Sequence, residues 1–166
     1  MMHDNEQIER KDDGSERLAA LYGLTPKVET AIIEAVQAGA VRRLRTLVAP
    51  LHPADQADLL ERMPARTAAS FVRFLGDHLD AETLTYLDEN LRESIVEVMG
   101  AKALARQLHD LSTDDAIDII EELEEDALAD VLAALSAEDR VLVEEGLSFP
   151  EDSAGRLMQR ELVTVP

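Results

Sequence analysis

The chain has 166 residues, of which 46% are hydrophobic and 31% charged, and its formal net charge at pH 7 is -19. Such a charge, with basic residues clustered only at Arg42, Arg43 and Arg45, argues against nucleic-acid binding, which needs a basic stripe. The chain has no cysteine, which excludes disulfides and thiolate metal sites, and no apolar run near the ~20 residues that span a bilayer. We therefore expect a cytosolic protein that does not insert directly into a membrane.

The N-terminal third predicts a tail followed by helices. Residues 1–17 are almost all polar or charged, so we expect them to form a disordered tail. From Leu18 to Leu47 the apolar residues recur at spacings of three to five, as amphipathic helices require, and Gly39 is expected to separate two of these helices. Alternation with a period of two is missing here. The sequence therefore predicts an all-α fold.

A period of 12 residues organises the rest of the chain. Positions 51, 63, 75, 87, 99, 111, 123, 135 and 147 are all leucine or methionine. At ~1.5 Å rise and ~3.6 residues per turn, each unit holds one helix of about two turns plus a short connection, and two units are predicted to make an αα-hairpin. Helices this short bury their apolar stripe only by stacking on neighbours. Residues 18–148 are therefore predicted to form a right- or left-handed superhelix of short helices, similar to armadillo repeats.

The starts of several units carry helix-capping residues. Ser112 and Ser136 follow the repeat leucine and are predicted to accept hydrogen bonds from the first helical N–H groups. Asp115 and Asp139, three residues further on, complete a pattern like a capping box. Pro53 is predicted to lie in a first helical turn, where its missing N–H costs little.

Acidic residues are concentrated near the C-terminus. Between Asp110 and Asp152 there are sixteen carboxylates and one base, Arg140. Helical spacing predicts an acidic row on one side of a helix, opposite isoleucines and a leucine, and its members are Asp114, Asp118, Glu121 or Glu122, and Glu125. Repulsion within this row favours binding of a divalent cation. The row lacks the ligand alternation and glycine of a Ca²⁺ loop and suits Mg²⁺ better. The same pattern is also typical of ordinary solvated surface.

Catalytic motifs are missing from the sequence. It contains no Gly-x-Ser-x-Gly elbow, no glycine-rich phosphate loop and no His-Glu-x-x-His motif. The four histidines, at positions 3, 52, 78 and 109, are too far apart for paired zinc ligation on one helix. The sequence therefore predicts a protein that is not an enzyme.

The C-terminal segment resembles a known family. Phe-Pro-Glu-Asp-Ser-Ala-Gly-Arg-Leu-Met at 149–158, followed by Glu-Leu-Val-Thr-Val-Pro at 161–166, is similar to the junction between the acidic helical domain and the first CBS domain of MgtE-type magnesium transporters. The resemblance extends back through the repeats to about Leu51. It implies that residues 149–166 are a linker and the first residues of a CBS domain. We therefore expect a fragment of a longer protein that has paired CBS domains and a transmembrane channel domain.

The same resemblance implies a function, partners and a site. In MgtE-like proteins the helical domain lies at the cytoplasmic face of the cell membrane, the whole protein is a homodimer, and Mg²⁺ between the helical and CBS domains favours a closed pore. Asp114 and Asp118 match the metal-contacting helix of the family. With the neighbouring Asp115 and Glu121 they are the candidate Mg²⁺ ligands. Ser70 is a departure, because it stands where the family has a further acidic contact.

Two other functions remain open on the residues alone. A superhelix of short helices can serve as a protein-interaction scaffold, and the flagellar motor-switch protein has a related helical-repeat organisation. A free-standing acidic regulatory protein is the second alternative. The scaffold predicts no response to cations, whereas the resemblance predicts a response to Mg²⁺.

Overall fold

The computed structural model describes residues 24–150 and residue 153, and within them every regular element is a helix. The all-α prediction is therefore confirmed for these residues. The predicted tail at 1–17 lies outside the described residues, as does most of the predicted linker at 149–166. The α-helices are α1 Pro26–Gln37, α2 Val41–Val48, α3 Pro53–Arg62, α4 Ala65–Leu75, α5 Thr83–Tyr86, α6 Glu89–Met99, α7 Ala101–His109, α8 Thr113–Glu121, α9 Glu125–Ala134 and α10 Ala137–Leu147, with a short 3₁₀ helix at Gly76–His78.

The 12-residue period corresponds to one helix per unit, as predicted. Leu75 and Met99 are the last residues of α4 and α6, and Leu51 and Leu111 lie just before α3 and α8. All nine repeat positions belong to the apolar core or pack against it. The period persists because a large apolar side chain packs into the core near the boundary of each helix. This side chain attaches the neighbouring short helix to the core.

The helices do not pack mainly as hairpins of consecutive units, so this part of the prediction is wrong. Instead the main partner is the second helix along the chain: α3 packs on α5, α4 on α6, α7 on α9, and α8 on α10. Consecutive helices make extensive contact only at α1 with α2 and at α6 with α7. A period in the sequence gives the length of a unit and leaves its packing partner undetermined.

Four of the described α-helices begin at a side chain that accepts a hydrogen bond from a backbone N–H group of the first turn. Thr25, His52, Asp88 and Ser136 each accept one from the first turn of the following helix, over 3.1–3.2 Å. These bonds satisfy N–H groups that have no partner inside the helix. Pro53 is the first residue of α3, as expected from its position.

Three glycines of the described residues have positive φ: Gly76 follows α4, and the other two separate consecutive α-helices. Gly39, at φ 63°, lies between α1 and α2, which confirms the prediction. Gly100, at φ 75°, is the only residue between α6 and α7 and lets the chain turn within that single residue. Both conformations are strained for residues with a β-carbon.

The unit at 75–86 is irregular, and a buried glutamine holds it. Gln56 in α3 is only 3% exposed; its Nε2 donates to the Leu51 carbonyl at 3.2 Å, and its Oε1 accepts from the Thr83 hydroxyl at 3.3 Å. These bonds connect α3 to the four-residue α5, which is too short to be stable by itself. None of the helices between residues 24 and 150 has the length and apolarity required to cross a membrane.

Candidate functional site

Helix α8 carries the predicted site residues and has two different sides. Ile117, Ile119 and Ile120 are at most 1% exposed, whereas Asp118 and Glu121 are exposed. The predicted division into a packed side and an acidic side is therefore confirmed. Positions 114, 118 and 121 are spaced at four and three residues, so the structure places these carboxylates along one side of a single helix.

Asp114 has an unusual environment at the first turn of α8. Its side chain is partly buried, and its Oδ1 atom is closed to solvent and has no hydrogen-bond partner in the described part of the chain. A buried acceptor without a partner costs free energy, on the order of 1–3 kcal/mol. The oxygen is therefore suited to a cation or donor that comes from elsewhere.

Asp115 interacts with the start of its own helix. The Ser112 hydroxyl donates to Asp115 Oδ2 at 2.7 Å, and no first-turn N–H donates to Ser112. At the equivalent positions in α10, Ser136 both accepts from the Asp139 N–H at 3.1 Å and donates to Asp139 Oδ2 at 2.6 Å. The capping prediction is confirmed at Ser136, whereas Ser112 contacts only the carboxylate.

The acidic row does not extend to Glu125 on the same helix, and that part of the prediction is wrong. Helix α8 ends at Glu121, and Glu125 is the first residue of α9. Leu123 lies between the two helices, packs against the core, and turns the chain. Because this break changes the direction of the chain, only the first three members of the row share one helix.

Glu122 takes part in an ion pair that the sequence did not predict. Arg92 in α6 donates to it twice, Nε to Oε2 and Nη2 to Oε1, both at 2.7 Å. The Arg92 Nη1 also donates to the Leu84 carbonyl at 3.3 Å. The two side chains are 14% and 29% exposed, so the arginine is well shielded, whereas Glu122 remains partly open to solvent. It anchors the turn after α8 to α5 and α6.

The position of α8 also depends on a close contact with α10. Gly146 is buried, and a β-carbon built there would collide with Ile117 Cδ1. The absence of a side chain lets the two helices approach closely on the apolar side of α8. In the sequence, Gly146 resembles a helix-terminating glycine, so no local signal indicates this contact.

Ser70, the predicted departure from the family pattern, lies in α4. Its hydroxyl donates to the carbonyl of Arg66, one turn earlier, at 3.0 Å. The residue is partly buried. Because this hydroxyl is neutral and its hydrogen atom is directed to the backbone, the position adds no negative charge to the site.

A second acidic contact joins α7 to α10. His109 Nδ1 lies 3.0 Å from Asp139 Oδ2 and 3.1 Å from Oδ1. The hydrogen bond with Asp139 and its charge raise the pKa of His109 above the ordinary 6.5. The hydrogen bond from Ser136, followed by that from His109, lowers the pKa of Asp139 below its ordinary 3.8, against the opposing effect of burial.

The carboxylates of the described residues do not form a metal cage. Among residues 24–150 and 153, no three acidic or histidine side chains come together closely enough to hold an ion. Asp114, Asp118 and Glu121 present oxygens along one helix side, and Asp115 lies about a quarter turn away from them. This arrangement offers carboxylates singly or in pairs, which is the way Mg²⁺ is often bound when it keeps most of its waters.

Comparisons with known proteins give a consistent result. Residues 51–152 match the family model of the MgtE intracellular N domain. The chain is 27% identical over 135 residues to the magnesium transporter MgtE of Bacillus subtilis (strain 168), covering 81% of this chain and 30% of that relative. The chain thus spans less than a third of the length of this relative.

Two solved structures share the fold. The soluble part of a magnesium transporter superposes with a TM-score of 0.72 at 21% identity, covering 82% of this chain and 54% of that one. The cytosolic domain of the Mg²⁺ channel MgtE in complex with ATP also superposes with a TM-score of 0.72, at 27% identity, covering 82% and 56%. The all-α fold of short helices is therefore shared with parts of both structures.

Proposed function

The chain belongs to the family of the MgtE intracellular N domain, and from that membership we propose that it is the Mg²⁺-sensing regulatory domain of a magnesium transporter. In this proposal residues 18–148 form the sensor domain, and residues 149–166 lead into CBS domains. Those domains and a transmembrane channel domain belong to the same homodimeric membrane protein, and the present domain lies at the cytoplasmic face of the membrane. The role is regulatory and not enzymatic.

The buried, unpartnered Oδ1 of Asp114 is the observation that carries this proposal. A carboxylate oxygen in that state is matched by a hard cation, and Mg²⁺ prefers oxygen ligands. Asp118 and Glu121 lie on the same helix side and would contribute, and Asp115, which accepts a hydrogen bond from Ser112, lies beside them. Because the described residues hold no complete cage, we place the remaining ligands on the CBS domains.

Electrostatics explains how such a site would regulate transport. Two acidic domain faces repel each other, and cations bound between them make the contact favourable. To change the ratio of docked to separated molecules from 1:99 to 99:1, Mg²⁺ must bind the docked state more favourably by about 5.5 kcal/mol. Several weakly held ions would supply this together, so that docking follows the free Mg²⁺ concentration.

The proposal is tested in the intact transporter with Asp114→Asn and Asp118→Asn combined. These substitutions keep side-chain size and remove two negative charges from α8. Limited proteolysis is measured over a Mg²⁺ titration, and we expect the midpoint of protection to move to higher Mg²⁺. A matched control removes two carboxylates from the first turn of the next helix, with Glu125→Gln and Asp126→Asn.

The control variant should keep the wild-type midpoint. An unchanged midpoint in the α8 variant would remove Asp114 and Asp118 from the site. If Mg²⁺ has no effect on the wild-type protein, a protein-interaction scaffold becomes the better interpretation. Calorimetric titration of Mg²⁺ into the 166-residue chain, with and without the CBS domains, checks whether the missing ligands come from those domains.

A further inference from the structure

A groove lies on the molecule between the α6–α7 junction and helix α9. Its volume is about 180 Å³. Apolar residues and Gly100 line it, and Val96 and Val131 are almost completely buried. The apolar lining consists of Val96, Gly100, Ala101, Leu123, Ala127 and Val131. A groove of this kind offers an apolar ligand surface that is removed from water when covered.

Acidic side chains surround this apolar lining. Glu93 and Glu97 come from α6, while Glu124 and Asp130 come from the α9 side. All four are exposed, and no ion pair neutralises them within the part of the chain that the structure describes. Glu122 also lines the groove, but Arg92 already neutralises it. The groove therefore has an apolar base between two negatively charged walls.

The spacing of these charges indicates what kind of cation would fit. No three carboxylates among the described residues meet at one point, so the groove offers no centre for a single metal ion. A hydrated metal ion would also gain nothing from the apolar base. A ligand with separate positive charges joined by methylene groups matches both the apolar base and the two acidic walls. Its carbon chain would cover the base, and its ammonium groups would reach the walls.

The size of the groove limits the ligand further. Its volume is below the ~300–1,000 Å³ of pockets for drug-sized ligands. Nucleotides are excluded because they are larger and negatively charged. A slender aliphatic chain is compatible with the space.

We propose that this groove binds an aliphatic polyamine, with the methylene chain on Val96, Leu123 and Ala127 and the ammonium groups at Glu97 and Glu124. The site lies apart from Asp114 and Asp118, and its test needs neither CBS domains nor Mg²⁺. It is therefore independent of the function proposed above.

The first experiment compares two trivalent cations, spermidine and hexaamminecobalt(III), by calorimetric titration into the 166-residue chain. They differ in that only spermidine has methylene groups. We expect spermidine to bind about tenfold more tightly, since burial of each methylene group is worth roughly fourfold in affinity. Equal affinity would mean that binding depends on charge alone, and it would overturn the proposal.

The second experiment locates the binding with paired variants. Glu97→Gln combined with Glu124→Gln removes one carboxylate from each wall, and we expect spermidine to bind roughly fivefold to tenfold more weakly. Asp58→Asn combined with Glu61→Gln removes the same charge from α3, where both residues are exposed, and is expected to change affinity less than about twofold. Equal weakening by both pairs would contradict the assignment to the groove.

A third comparison places a tethered amine in the groove. Ala127→Lys adds an ammonium group beside the walls, and we expect it to compete with spermidine and abolish the preference over hexaamminecobalt(III). Ala129→Lys adds the same charge to the same helix, about half a turn away, on an equally exposed alanine outside the groove, and should keep the preference. If Ala127→Lys keeps the preference as well, the ligand does not occupy this groove.

Discussion

Gly146 in α10 lies against Ile117 in α8 so closely that a β-carbon at position 146 would collide with Ile117 Cδ1. This contact is on the apolar side of the helix whose other side carries Asp114 and Asp118. It therefore determines how the acidic side of α8 is presented to anything that docks there.

Replacing Gly146 by alanine should destabilise the fold. The added methyl group must displace Ile117 or separate the helices, which costs about 1–3 kcal/mol in the free energy of unfolding. Urea unfolding measures this. Ile117→Val removes the colliding Cδ1 atom, so the double variant should lose less stability than the two single losses added together. Simple additivity would show that the two residues do not contact each other.

The Arg92–Glu122 pair should contribute more to stability than an exposed pair. Arg92→Lys keeps the charge but cannot form the bidentate pair with the two Glu122 oxygens. We therefore expect a loss of about 1–3 kcal/mol in the free energy of unfolding. Arg140→Lys is the control, because Arg140 and Glu144 are about half exposed and are expected to contribute within about 0.5 kcal/mol. Equal losses in denaturant unfolding would show that the shielding of Arg92 is unimportant.

Thr83→Val should destabilise α5 through Gln56. The substitution keeps the shape of the side chain but removes the hydroxyl that donates to the buried Gln56 Oε1. We expect a loss of about 1–3 kcal/mol in thermal unfolding experiments. Thr85→Val is the matched control, since the Thr85 hydroxyl donates only to the Glu82 carbonyl near the surface and should matter by less than about 0.5 kcal/mol. A stable Thr83→Val variant would argue against the buried bond.

Stability should depend on pH through His109 and Asp139. The folded-state pKa of His109 is raised, so its stabilising contribution is complete below 6.5 and is lost as the pH rises through the raised value. The pKa of Asp139 is lowered, so its contribution is present above 3.8 and is lost as the pH falls through the lowered value. The pair therefore contributes most between these two limits.

NMR titration of the His109 ring tests this directly. In the wild-type chain the midpoint should lie above 6.5, and in Asp139→Asn it should move back towards 6.5 because the substitution removes the negative charge and weakens the hydrogen bond. A midpoint that is the same in both proteins would show that Asp139 is not the cause.

Local features of the fold were predictable from the sequence, whereas packing partners were not. Leu75 and Met99 lie on the 12-residue period because the helices that they end pack these last residues in or against the core. The Ser136 cap depends only on Asp139, three positions further along the chain. The 12-residue period does not determine which helices touch. For that reason the predicted hairpins were wrong.

Three ion pairs that the sequence did not predict have similar separations in the sequence, and these are not multiples of the 12-residue repeat. Arg92 and Glu122, and likewise His109 and Asp139, are 30 residues apart, and Asp77 and Arg106 are 29 apart. These separations in the sequence follow from the order in which the helices stack. A separation of about 30 residues between opposite charges is the sequence feature that these three contacts share.

The candidate site was predictable only in part. The positions of Asp114 and Asp118 on one side of a helix follow from their spacing, but the exclusion of Asp114 Oδ1 from solvent depends on tertiary packing. The end of α8 before Glu125 was missed because Glu121 to Glu125 contains neither glycine nor proline, the usual signals of a helix end.

Within α7 to α10, packing of each helix on the second one along the chain constrains how the length of this part of the protein can change. From α7 to α10, odd and even helices form two interleaved rows, so deletion of one 12-residue unit would transfer every later helix to the opposite row. Deletion or duplication of two units together keeps each helix in its own row. Viable length variants of this domain should therefore differ by pairs of units.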